Sequence, residues 1–368
     1  MTDLAKPSGP TRAFYGLALA ALIGFIAYVG RGVIIPVVVA GFLSFFIFTL
    51  KQSIKRGPLI GRYLPDWLCF LFAFAIIGLV FLFIVDVVRD NVGVLVAKSG
   101  EYESRLRDLS GEAIAFLHRL AILPQDFMGG LDELRRQALG AVRPLIAQTG
   151  QALRAVTANF VTIALYTVFM LVERGRIFKK ISMLSTDAQE RRAVDETITD
   201  IGAMVREYVT IKTLINLTVA GISFVIMRLV GVEFAGFWAL LIFLLNYIPI
   251  VGSISAIASI TLFVLVQPEG GGLQTALLTL ALLAGAEQLM SSIVEPRLMG
   301  RSLNLSPLVI LLSLSVWGSL WGFAGALLAV PMTVTMMIIL TQFKSSRPIA
   351  ILMSDSGKVA PIKHLKES

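Results

Sequence analysis

Apolar and polar residues follow one another along this chain in blocks. Apolar runs cover Ala13 to Val29, Val33 to Leu50, Asp66 to Val88, Leu153 to Val172, Ile211 to Val230, Phe234 to Val266, Leu273 to Val294 and Leu305 to Phe343. A single membrane-spanning helix needs about 20 mainly apolar residues. The runs therefore predict an all-α polytopic membrane protein with about eight membrane segments. Between them the apolar positions recur every three or four residues. Tyr102, Leu106, Leu109, Ala113, Phe116 and Leu120 make one such stripe, and Leu131, Leu134, Ala138, Ala141 and Leu145 a second, with Pro124 and Gly129-Gly130 between them. Val194, Ile198, Ile201, Val205 and Tyr208 make a third, behind a capping box at Thr186 and Gln189. This period predicts amphipathic helices outside the bilayer, each with one apolar face.

Two runs do not fit a simple crossing. Phe234 to Val266 carries no charge, is too long for one pass and short for two, and holds Asn246-Tyr247-Ile248-Pro249-Ile250-Val251-Gly252-Ser253 at its middle. Leu305 to Phe343 has a glycine-rich centre, Trp317 to Gly325, followed by Pro331. Proline removes a donor and kinks a helix, and glycine admits close approach to the backbone. In lipid the freed backbone groups must find partners, so such breaks persist only inside protein or beside a wet cavity. Each run is either a kinked packing helix or a hairpin, re-entrant or full, and the re-entrant, site-forming hairpin is the reading favoured here. Helix 211–230 with the first and helix 273–294 with the second then form an inverted repeat, the layout in which many transporters bind substrate.

The resulting organisation is membrane helices one to three in 1–88, a helical extramembrane segment in 89–152, membrane helix four in 153–172, a cytoplasmic amphipathic helix in 173–210, the transport core in 211–343 and a cytoplasmic tail in 344–368. Of the 368 residues 56% are hydrophobic and 15% charged, and the mean hydropathy is +0.82, outside the range of soluble domains. The net charge of +8 sits beside apolar runs instead of in one stripe, which argues against a nucleic-acid partner and makes the lipid bilayer the partner. The charge also orients the chain. Lys51, Lys55, Arg56 and Arg62, and then Arg174, Arg176, Lys179 and Lys180, are expected in the cytoplasm, with both termini on that side and the balanced 89–151 segment outside. If Phe234 to Val266 turns back, Glu269 lies outside and Arg297 and Arg301 inside, in keeping with the same rule. Cys69 is the single cysteine, so no disulfide forms within the chain. The two histidines, His118 and His364, lie outside the apolar runs, which excludes a histidine-based intramembrane metal site and intramembrane protease chemistry. No H-E-x-x-H, G-x-S-x-G or phosphate-binding loop is present, so neither an enzyme nor an ATP-driven pump is expected.

Ionisable residues inside membrane runs are costly and mark function. Glu287 is the clearest, with Gln288, Ser291 and Ser292 on much the same helix face. It could bind Na⁺ or carry a proton, or serve only as a helix-to-helix hydrogen bond. Arg297, in Glu295-Pro296-Arg297, could hold an anion or anchor the run at the interface. Lys212 and Asn216 begin the fifth run one turn apart, and Lys212 is long enough to snorkel to the surface.

Several stretches resemble the autoinducer-2 exporter family: Tyr208-Val209-Thr210-Ile211-Lys212-Thr213; Asn246 to Gly252; Glu295-Pro296-Arg297-Leu298-Met299-Gly300 running on to Leu305-Ser306-Pro307; and Gly322 to Pro331. The resemblance implies export of small polar signals of the autoinducer-2 kind or, as other members are described, exchange of Na⁺ or Li⁺ for H⁺, together with homo-oligomers. The expectation is a secondary transporter in a bacterial inner membrane with no cofactor beyond Na⁺ or H⁺ as coupling ion. Asn246, Pro249, Gly252 and Ser253 would form one hairpin tip and Gly318, Gly322 and Gly325 the other, with Asn216, Glu287, Gln288, Ser291 and Arg297 supplying polar groups for a small polar solute or monovalent cation. A non-transporting oligomeric scaffold built on the amphipathic arms, or a passive channel, is the alternative.

Overall fold

A computed structural model of the chain describes residues 9–56, 64–98, 100–102, 104–105, 107–109, 111, 159–173, 175–177, 180, 183, 188–299, 304–343 and 345–359. The stripes from Ala113 to Leu145, Thr186 of the capping box, both histidines, Arg62, Arg174, Lys179, Arg301 and Lys344 lie outside these residues. The described residues are helical, with a single antiparallel bridge between Leu305 and Ser354. In chain order the helices are α1 (Gly9–Val29), α2 (Arg31–Arg56), α3 (Asp66–Ala97), α4 (Asn159–Glu173), α5 (Ala188–Val230), α6 (Ala235–Leu245), α7 (Val251–Val266), α8 (Leu273–Leu289), α9 (Glu295–Met299), α10 (Pro307–Thr341) and α11 (Arg347–Met353). Five stretches are long and apolar enough to cross a membrane: Arg31–Lys55, Asp66–Ala97, Val194–Val230, Leu273–Leu298 and Pro307–Thr341. This is the all-α polytopic architecture the apolar runs predict.

Three boundaries differ from the sequence reading. The third run continues to Ala97, because Val92, Val94, Leu95 and Val96 keep the segment after Arg89 apolar enough to remain helical. The amphipathic third stripe and the fifth run are one helix, α5, with no breaker between them. Only Gly30 separates α1 from α2, and ladder bonds run across it, from Gly30 N–H to the Ile26 carbonyl at 2.8 Å and from Ile34 N–H to the Gly30 carbonyl at 2.9 Å. The first two runs therefore meet at a bend instead of through a connecting loop. The Ala27 carbonyl at that bend accepts the Trp321 indole N–H at 2.9 Å.

The described residues fall into two compact units, one of residues 1–46, 161–205 and 303–368, the other of residues 47–160 and 206–302. In the second unit Phe234 to Val266 is a hairpin. Its two ends meet at Gln267, which is 1% exposed. The Gln267 side chain accepts the Glu233 N–H at 3.0 Å and donates to the Gly231 carbonyl at 3.0 Å and the Glu269 carbonyl at 2.5 Å. Further in, Phe263 packs its ring 5.8 Å from Phe234 and 5.2 Å from Trp238. With 11 residues in α6 and 16 in α7, the arms are about 16 and 24 Å long, less than the about 30 Å hydrocarbon core. The hairpin packs through Ala235, Ala239, Ala256 and Ile260 against Ile215 and Val219 of α5 and Ala276 and Leu283 of α8. Small residues at these contacts let the backbones approach, the usual basis of packing in lipid.

In the first unit α10 also folds back on itself. Gly322 has φ 61° and ψ −138°, outside any helix. Trp317 donates its indole N–H to Thr333 Oγ1 at 3.2 Å; a straight helix would separate these residues by about 24 Å. The Asn304 side chain ties the C-terminal segment to the start of this hairpin, accepting from Ser356 N–H at 3.2 Å and donating to the Lys358 carbonyl at 2.7 Å.

Candidate functional site

The tip of the first hairpin is a tight turn built from its own sequence. Val251 N–H reaches the Pro249 carbonyl at 2.6 Å, and Ile250 between them has φ 63° and ψ −59°. This is the strained form of the γ-turn, rare for any residue and more so for a β-branched one. Gly252 follows, packed so closely that a Cβ would run into the Leu245 carbonyl oxygen. The turn holds Asn246, 5% exposed, at the end of α6.

Helix α5 supports this tip. Asn216, fully buried, donates from Nδ2 to the Phe243 carbonyl at 3.3 Å, and the hydroxyls of Thr213 and Tyr247 lie 2.7 Å apart. Lys212 is also buried and does not snorkel. Its Nζ donates to Glu295 Oε1 at 2.6 Å, with side-chain exposures of 8% and 26%. Removing charges from water offsets most of the gain from pairing them, so this pair is poor evidence for stability and better evidence of a use for the charges.

The opposite wall is α8. Glu287 Oε2 accepts the Asn246 Nδ2–H at 3.1 Å, while Asn246 Oδ1 has no partner among the described residues. Between α8 and α9 the chain makes a π-turn, Met290–Val294, in which Glu295 N–H bonds back to the Met290 carbonyl. Pro296 comes next. It has no N–H for the ladder and its ring crowds the preceding turn, which favours the wider spacing. In an α-helix the series Glu287, Ser291, Glu295 would drift by about 40° at each step. The wide turn takes up that drift, and all three residues face one cavity.

That cavity has a volume of about 540 Å³ and lies wholly within the second unit. Its polar lining is Lys212, Asn246, Ser253, Glu287, Gln288, Ser291 and Glu295; Pro249, Ile250, Ile254, Ile257, Ala258, Leu280 and Ala284 supply the apolar remainder. Its size and mixed lining are those of a small-ligand site. Gln288 donates to Ser292 Oγ at 2.7 Å along its own helix. Of the residues singled out from sequence, Asn246, Pro249, Ser253, Glu287, Gln288 and Ser291 come together here. Gly252 shapes the turn behind them and Asn216 braces it. Arg297 is exposed and does not line the cavity. Gly318, Gly322 and Gly325 form the turn of the second hairpin, where a Cβ on Gly325 would run into the Trp317 carbonyl oxygen. The Lys212–Glu295 pair was missed as a site feature. Its signal was two opposite charges, Lys212 at the start of one apolar run and Glu295 at the end of another. Among the described residues no group of three or more histidine, cysteine or carboxylate side chains is placed to hold a metal ion.

A broken-helix hairpin with a charged, partly buried cavity at its tip is a layout common among membrane transporters. The chain belongs to the AI-2E family transporter family, which it matches over residues 17–345. A Haemophilus influenzae protein named for transport is 29% identical over 92% of this chain and 95% of its own length. The AI-2 transport protein TqsA of Escherichia coli strain K12 is 34% identical over 60% of this chain and 61% of its own. YhhT of the same organism, also named for transport, is 31% identical over 71% of this chain and 74% of its own.

Proposed function

We propose that this protein is a secondary transporter of a bacterial inner membrane, and that the Glu287–Asn246 pair is its coupling site for a monovalent cation or a proton. One observation carries the reading: among the described residues Glu287 is bonded by a neutral amide and by no cation, and both it and Asn246 line the cavity. A carboxylate and an amide oxygen together offer hard oxygen donors to Na⁺ or Li⁺. Protonation of Glu287 would remove the charge that holds the cation, so one ion leaves as the other arrives. Half-helix ends at the tip add partial charges. Export of a small polar solute is the second reading, favoured by the cavity volume, which exceeds what a lone cation needs, and by the name of the relative TqsA. The basic residues at 51–56 and 176–180 would face the cytoplasm and Glu269 the opposite side.

Purified protein in liposomes with an internal pH-sensitive dye, pulsed with Na⁺ or Li⁺, tests this. Proton movement is expected in wild type and at least tenfold less in Glu287→Gln. No movement in wild type would overturn cation–proton exchange and leave solute efflux to be measured. Equal movement in both would remove Glu287 from the coupling path.

A further inference from the structure

A second cluster of charge lies in the second unit, apart from the cavity, where the stretch Arg31–Lys55 ends and Asp66–Ala97 begins. Lys51 and Lys55 bond the two oxygens of one carboxylate, Asp66, with Lys51 at 2.7 Å. Lys51 Nζ also lies 4.7 Å from the centre of the Phe70 ring and 5.8 Å from that of Phe48. The Arg206 guanidinium of α5 sits 5.4 Å from the same Phe48 ring. By way of that shared ring, Lys51 and Arg206 are at most about 11 Å apart. Arg206 bonds no acceptor among the described residues. Its Nε is buried without a partner, and the positions one turn away on α5 are Gly202, Ala203, Val209 and Thr210, none of them acidic. Three cations and one carboxylate leave the cluster with two net positive charges. An aromatic face stabilises a cation by only about 0.5–2 kcal/mol, and two cations drawn to one ring repel each other. The cluster therefore calls for an anion from outside the chain. Its depth selects the kind. It lies where two apolar stretches meet water, and Trp67, next to Asp66 and 65% exposed, is the residue type that marks this boundary. Lipid phosphates lie at that level, and basic pockets between membrane helices bind such headgroups. We propose that Lys51, Lys55 and Arg206 bind the headgroup of an anionic phospholipid, with Phe48 and Phe70 as the apolar wall beside it. The spread of the three cations suits a headgroup better than a lone phosphate ion. One lipid would then tie α2 to α5, and none of these residues lines the cavity around Glu287.

The test is the thermal unfolding midpoint of the full-length protein in an uncharged detergent, titrated separately with cardiolipin, phosphatidylcholine and sodium phosphate. Cardiolipin at micromolar concentration is expected to raise the wild-type midpoint by about 3 °C. Phosphatidylcholine and sodium phosphate should leave it unchanged. Arg206→Gln and Lys55→Gln should each lose most of the rise. Lys358→Gln, which removes an exposed lysine elsewhere, should keep it in full. No rise in wild type refutes the proposal. An equal rise with phosphatidylcholine would mean a general effect of lipid, and an equal rise with sodium phosphate a site for a free anion; either overturns it. A full rise in Arg206→Gln or Lys55→Gln, or its loss in Lys358→Gln, does the same. The Lys55 side chain is 46% exposed, so that variant keeps the test decisive where Arg206→Gln does not fold.

Discussion

Gly252 and Gly285 show how much a single hydrogen-sized side chain can matter in one place and how little in another. A Cβ at Gly252 collides with the Leu245 carbonyl, backbone that cannot step aside without opening the turn; a Cβ at Gly285, on α8, meets nothing within 4 Å. Gly252→Ala is therefore expected to cost about 2 kcal/mol or more and to reduce transport. Gly285→Ala should be neutral or stabilise by about 0.5 kcal/mol, since alanine is the better helix former. Denaturation midpoints beside flux measurements check both. At this scale the sequence was informative where chemistry is local. The glycine and proline of the tip, and a carboxylate stranded in an apolar run, could be read without a structure. The partner of Lys212 could not, because Glu295 is 83 residues away along the chain and only tertiary folding brings the two together.

At the scale of the element, the base of the first hairpin is held by one side chain. Gln267, itself 1% exposed, ties three backbone groups of the two arms together, and its buried amide would cost about 1–3 kcal/mol if left without them. Gln267→Leu should speed amide exchange at 231–235 and 267–272 and leave the tip at 246–252 slower by comparison; uniform exchange through the hairpin would mean the base does not act alone. The segment that follows α3 reinforces this base. Tyr102, 7% exposed, donates to Glu233 at 2.5 Å, and its ring lies 5.5 Å from Phe263. Burial first, then the hydrogen bond to Glu233 and its charge, push the Tyr102 phenol well above its ordinary value. A raised folded-state value means that this bond contributes in full below the ordinary phenol range and is lost only as pH rises beyond it. The hairpin was legible from its Pro-Gly break, while most of the stripe that begins at Tyr102 lies outside the described residues. The attachment of Tyr102 was not legible, since an apolar stripe carries no signal of the carboxylate that its tyrosine will bond.

For the whole molecule, hydropathy was enough to establish the class, because the bilayer imposes lengths that a sequence must show openly. It was less able to find joints. The bend at Gly30 and the continuity of α5 depend on which backbone bonds survive, and composition is silent on that. Orientation is the global property most open to measurement. In a Cys69→Ser background, Glu269→Cys is expected to react with an impermeant thiol reagent from outside intact cells, and Lys180→Cys only after permeabilisation. The reverse pattern would turn the protein over in the membrane, and labelling of both from outside would break the hairpin topology.

The Gln267 clasp has a mechanical meaning. A hairpin fastened at one end and turned at the other is a cantilever. A small rotation at the clamped end becomes a larger displacement at the far end, and the strained turn at Ile250 is what that displacement moves. On the proposed reading an ion bound beside the tip would act with leverage on the Glu233–Gln267 end, and a molecule that grips that end would stall transport without ever entering the cavity.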